Sequence, residues 1–111
     1  MTPVSVINSM VQAAGEMAAS KGFHRNWNDG EKIALIHSEL SEALEELRSG
    51  HARATLRVTA DGKPDGLPAE MADVVIRVFD FCYYWGIDLG AAILAKMDYN
   101  ETRPHKHGKV F

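Results

Sequence analysis

The sequence predicts an all-α domain, a four-helix-type bundle with a long loop between its second and third helices. Apolar residues recur at three- and four-residue spacing through four stretches. Each stretch is bounded by residues that start or stop helices. Residues 51–66 are the longest break between them. A chain of 111 residues suffices for one compact domain and not for two, so residues 1–111 are read as a single domain.

The first helix is predicted over residues 4–20. Pro3 suits its first turn, and Val4, Ile7, Met10, Val11, Ala14 and Met17 give it one apolar side. Gly22 can end it. FHRNWND, residues 23–29, is then a connector, with Asn28 and Glu31 spaced as a capping box. Phe23 and Trp27 are large rings in a polar loop. Either they cap the core, or one of them, with His24, lines a pocket for a nucleobase.

The second helix is predicted over residues 29–49. Ile33, Ile36, Leu40, Leu44 and Leu47 form its apolar stripe. Glu39, Glu42 and Glu46 lie on a stripe roughly 100° away, at the edge of the core. Arg48 complements the helix dipole, and Gly50 suits the position past the end. Within residues 51–66, ATLRVT has strand character and DGKPDG is dense in turn signals, so a hairpin-like excursion is expected. Lys63 at its tip either faces solvent or meets a phosphate if the loop closes.

The third helix is predicted over residues 67–85, with Pro68 in its first turn. Met71, Val74, Val75, Val78 and Cys82 form its buried stripe. Glu70, Asp73 and Arg77 share an adjacent stripe with Asp80 at its edge, and Arg77 stands one turn from Asp73, at ion-pair spacing. Five rings near its end (Phe79, Phe81, Tyr83, Tyr84, Trp85) are more than so small a chain covers alone. Gly86 ends this helix and Asp88 caps the fourth, and the tight turn predicts antiparallel neighbours. Leu89, Ala92, Ile93 and Met97 give the fourth helix its apolar face. Lys96, Asn100 and Arg103 share another face, and Pro104 stops the helix before a basic tail.

Composition narrows the function. The net charge of −3 gives no case for nucleic-acid binding. No apolar run approaches the roughly 20 residues of a membrane span. A single cysteine permits no internal disulfide, and no signal-peptide pattern opens the sequence, so a cytoplasmic protein is expected. The five histidines make no zinc pattern with Cys82. No phosphate loop of the GxxxxGK[ST] type occurs.

The paired acids carry most of the chemistry. Glu39 and Glu42 are three residues apart, and Glu70 and Asp73 repeat that spacing. On a helix each pair projects from one side. Four facing carboxylates repel one another, and a hard cation such as Mg²⁺ relieves that repulsion. The same charges read singly are a solvated helix face.

Glu-x-x-Glu, a gap, and Glu-x-x-Asp, followed by KMDYNETRPHKHGK at residues 96–109, resemble the MazG-like, all-α nucleoside triphosphate pyrophosphohydrolases. The resemblance runs from about Trp27 to the C-terminus. It implies Mg²⁺, with Mn²⁺ as a possible substitute, held by Glu39, Glu42, Glu70 and Asp73. It implies hydrolysis of a nucleoside triphosphate between its α and β phosphates, in nucleotide-pool house-cleaning. Lys96 and Asn100 would then contact substrate, with Arg103 as a weaker contact; Trp27 is the substrate-binding candidate that the ring-bearing connector itself offers. Many members carry another glutamate where this chain has Ser38, which leaves Glu39 or Glu42 to activate the water. The resemblance also implies a homodimer or a dimer of dimers, and the surplus of rings agrees. The alternatives are a phosphoribosyl-ATP pyrophosphohydrolase and a non-catalytic helical interaction module. A di-iron carboxylate protein would want Glu-x-x-His pairs, and none occurs.

Overall fold

The structure, a computed structural model, describes residues 1–111. It is all-helical apart from one very small sheet. The order is α1 (Pro3–Ser20), α2 (Asp29–Arg48), β1 (Arg57–Val58), β2 (Pro64–Asp65), α3 (Leu67–Trp85) and α4 (Leu89–Glu101), with a final 3₁₀ turn at His105–Gly108. No single helix is long and apolar enough to cross a membrane.

The helix ends follow from their capping residues. Thr2 and Ser5 cap α1 reciprocally, with Pro3 at its first position. The Asn28 side chain accepts the Glu31 N–H at 2.9 Å to start α2. Gly86 adopts a left-handed conformation (φ 65°) and closes α3, a geometry that costs an L side chain about 1 kcal/mol or more. Asp88 accepts the Ala91 N–H at 3.0 Å and starts α4.

Helix α3 is the centre of the fold, with α1 and α2 both lying against it. Links at three levels show that α2 and α3 run antiparallel. Asp29 at the start of α2 accepts from Trp85 at the end of α3 (2.6 Å). Arg77 meets Glu39 midway. Glu46, late in α2, accepts from Arg57, which also binds Asp65 just before α3. Arg57 and Asp65 are register partners in the antiparallel β1–β2 hairpin, so the excursion after α2 is tied down at its base, while Lys63 near its tip is exposed.

The fourth helix departs from expectation. The chain direction turns by 116° between α3 and α4, and α4 packs mainly on α1 instead of lying antiparallel to α3. Two features hold it there. Gly90 sits so close to α1 that a Cβ would lie 2.7 Å from the Val4 carbonyl oxygen. The Asn8 side chain donates to Asp88 (2.8 Å) and accepts the Gly90 N–H (3.0 Å). Asn8→Ala should therefore cost about 1–3 kcal/mol, because the Gly90 N–H loses its partner in a buried position. Chemical denaturation would show it as a lower midpoint at unchanged slope.

The core is thin. Val11, Phe79 and Cys82 form it, with Ile7, Ala14, Val78, Tyr83 and Leu89 packed around. Only 7 of 111 residues are buried. The radius of gyration is 16.3 Å, against about 13 Å for a compact domain of this length. Much of the apolar stripe expected to be core is open in a single chain: Leu40, Leu44 and Leu47 on α2, and Met71 and Val75 on α3, are all exposed.

Candidate metal centre and adjoining cavity

The paired acids meet where α2 and α3 face each other. Carboxylate oxygens of Glu39, Glu70 and Asp73 lie within 4.8 Å of one another. Glu42 stands near enough to Glu70 for its charge to bear on the Glu70 carboxyl. It is exposed, whereas Glu39 and Glu70 are half-buried. Oε2 of Glu39 and Oε2 of Glu70 are buried without a hydrogen-bond partner. Buried carboxylate oxygens are ordinarily satisfied, so two orphans in one acid group are free to accept a donor or a cation. The donor set is all oxygen, which suits Mg²⁺ or Mn²⁺ and not a thiolate- or imidazole-seeking metal.

Arg77 donates from Nε to Glu39 Oε1 at 2.8 Å. The sequence spacing pointed to Asp73 instead. The partner on the facing helix takes the guanidinium, which leaves Asp73 exposed toward the group.

Burial, and next the neighbouring Glu42, push the Glu70 carboxyl above the usual glutamate range. A carboxyl that titrates higher folded than unfolded binds its proton more tightly when folded. Ionising it therefore costs stability, and the cost sets in as pH rises through the ordinary glutamate range and is complete above the folded value. Other acids act oppositely. Glu46 is held low by His51 and Arg57, Asp65 by the Gly66 N–H and also Arg57, and Asp88 by Asn8. Their contribution is lost only at more acidic pH, as each is protonated. Metal-free protein should thus show a higher Tm near the glutamate range than at neutral pH, before falling in stronger acid. A cation bound at these acids would raise Tm more at neutral pH than near the glutamate range, which thermal scans with added Mg²⁺ and with EDTA would check.

A cavity of about 300 Å³ opens beside the acids. Glu39, Asp73 and Arg77 line one end, and Phe23, Trp27, Lys32, Asp80, Met17 and Ile76 are among the residues lining the rest, with Lys21 as a further cation. Helix geometry explains this lining. Lys32 and Glu39 are seven residues apart on α2, as are Asp73 and Asp80 on α3, so each pair shares a face two turns long. The antiparallel pairing then sets Lys32 and Asp80 at the same end. Lys32 had no part in the sequence reading; its seven-residue spacing from Glu39 was the available signal.

The connector builds the far wall. Trp27 stacks on Tyr84 with ring centres 3.8 Å apart and planes 2° from parallel. The Lys32 ammonium lies 4.7 Å from the Trp27 ring and donates to the Phe23 carbonyl at 2.9 Å. With Tyr84 on Trp27 and Lys32 also held against its ring, the indole serves as a wall more than as an open stacking platform. The His24 ring bonds Asp80 Oδ1 through Nε2 at 2.7 Å.

Three expected substrate contacts lie elsewhere. Lys96 and Asn100 are on α4, and Arg103 follows its end. Lys96 and Arg103 both reach the Tyr99 ring, at 5.6 Å each, and Asn100 Oδ1 is buried without a partner. None of them is among the residues lining the cavity. The swing of α4 onto α1 accounts for this separation.

The chain matches no protein-family model, no curated protein and no solved structure.

Proposed function

We propose that this protein is a Mg²⁺-dependent nucleoside triphosphate pyrophosphohydrolase that releases a nucleoside monophosphate and pyrophosphate. The observation that carries this reading is the carboxylate group of Glu39, Glu70 and Asp73, with its two orphaned buried oxygens, at the mouth of a partly apolar cavity. The resemblance of the two acid pairs and of residues 96–109 to the MazG-like enzymes supports it, as does the all-helical fold.

Glu39, Glu70 and Asp73 would hold Mg²⁺, with Glu42 beside them. The metal would neutralise phosphate charge and acidify a coordinated water. Arg77 fixes Glu39 in place through its Nε–H. Glu39 is thereby engaged, so we assign proton acceptance from the attacking water to the exposed Glu42. Lys32 and Arg77 bring positive charge to the cavity, so an anionic chain of phosphates does not face carboxylates alone. The apolar wall of Met17, Trp27 and Ile76 suits the nucleoside. The decisive experiment is pyrophosphate release from a panel of ribo- and deoxynucleoside triphosphates with Mg²⁺ and with EDTA. Release that needs the metal, with a monophosphate product, supports the reading; none from folded protein refutes it.

The reading includes self-assembly as a homodimer or dimer of dimers in the cytoplasm. The open apolar stripe on α2 and α3 and the large radius of gyration support a second copy covering that face. Lys96, Asn100 and Arg103 keep a substrate role only where another copy carries its α4 to the cavity. Leu44→Glu should convert the assembly to a monomer, read as a halved or quartered mass by light scattering, since a charge would be buried in an apolar contact.

A further inference from the structure

We propose that Asp80, oriented by His24, reads the base of the substrate and selects bases that present an exocyclic amino group. The proposal rests on the pyrophosphohydrolase reading and adds a specificity residue to it. Asp80 lines the same cavity as Asp73 and lies seven residues further along α3. That is about 10.5 Å along the helix axis. It is about the length of a nucleotide from its inner phosphate to the far edge of its base. With phosphates at Glu39, Glu70 and Asp73, the base edge therefore arrives at Asp80.

The environment of Asp80 defines what it can bind. His24 takes Oδ1 at 2.7 Å, and the two side chains are only 20% and 13% exposed for His24 and Asp80. Trp27 and Tyr84 each pack edge-on to the imidazole at 5.4 Å, so the ring has little freedom to swing away. Oδ2 is left for a ligand. An ionised carboxylate only accepts hydrogen bonds. Opposite it, the amino group of cytosine or adenine is favourable. The carbonyl of uracil or hypoxanthine in the same place sets oxygen against oxygen. Carboxylates pair with the amino group of cytosine in this way when proteins read base edges.

The test compares two near-isosteric pairs, dCTP with dUTP and dATP with dITP, by kcat/KM for pyrophosphate release. The wild-type protein should prefer the amino member of each pair by about fivefold or more. Asp80→Asn should collapse or invert both preferences, because its amide can turn a donor toward a carbonyl. If that variant does not fold by circular dichroism, Asp80→Ser replaces it and should erase both preferences. Turnover of all four substrates without an amino preference overturns the role of Asp80 and leaves the reaction class standing. An amino preference that survives substitution of Asp80 overturns it equally. No turnover of any of the four, where another nucleotide of the wider panel is hydrolysed, overturns the proposal alone, and no turnover across that whole panel removes the reaction class with it.

Discussion

On the proposed reaction, Glu70→Gln and Asp73→Asn should each lower kcat/KM for pyrophosphate release by more than about a hundredfold. Groups that only support a metal ligand are commonly worth 10–100-fold, so a ligand itself is worth at least that. Both substitutions keep the volume of the side chain and remove its charge. For Glu70 the stability should move the other way. Its carboxyl is burdened by burial and by Glu42 when no cation is present. An amide relieves that burden, so metal-free Glu70→Gln should melt above metal-free wild type at neutral pH. The same variant should lose most of the Tm increase that Mg²⁺ gives the wild type. Activity sites often carry such a cost in stability. Activity within a few-fold of wild type would remove the substituted residue from the centre. A lower Tm for metal-free Glu70→Gln would show that Glu70 serves packing instead.

Gly15→Ala should destabilise the protein by about 2 kcal/mol, although alanine ordinarily strengthens a helix by about 1 kcal/mol over glycine. A Cβ at Gly15 on α1 would overlap the root of the Tyr83 side chain on α3. Tyr83 packs on Val11, Phe79 and Cys82, so it cannot move without disturbing the core. Overpacking of that kind costs about 1–3 kcal/mol. A loss of 2 kcal/mol would lower Tm by roughly 8 °C or more. Gly30→Ala is the matched control, because a Cβ there meets only the Asn28 side chain at 3.4 Å. It should be neutral or slightly stabilising. Equal melting of the two variants would show that α1 and α3 tolerate wider spacing.

The helices were legible because their signals are local. Thr2 was missed as a cap, yet Asn28, Gly86 and Asp88 each do what their residue types favour, and the helix ends fall within a residue or two of expectation. That each acid pair lies on one side of its helix was legible too, since the helical period places it there; that Glu39 would meet Glu70 and Asp73 across α2 and α3 was only a condition of the reading. Long-range choices were not. Periodicity marks α4 as amphipathic but cannot say whether α1 or α3 receives it; Gly90 and Asn8 decide that, and only contact reveals them. Arg77 has acids within reach on two helices, and spacing along one of them favoured the wrong partner. The apolar stripe of α2 was expected to be core, and most of it is open in the single chain. Periodicity marks a surface that seeks cover, not which surface supplies it.

The Asp29 carboxylate has a consequence for observing this protein. Its Oδ1 accepts from Trp27 Nε1 at 2.7 Å and from Trp85 Nε1 at 2.6 Å, and the chain has 2 tryptophans in all. Both indoles are thus fastened to one oxygen at one end of the cavity, and α1 and α4 hold none. The intrinsic emission of the protein is in effect a native probe of this corner. A ligand that displaces Lys32 from Trp27, or a shift of the connector, changes the optical signal without any label. Helix α4 carries no tryptophan of its own, so the emission reports on it least.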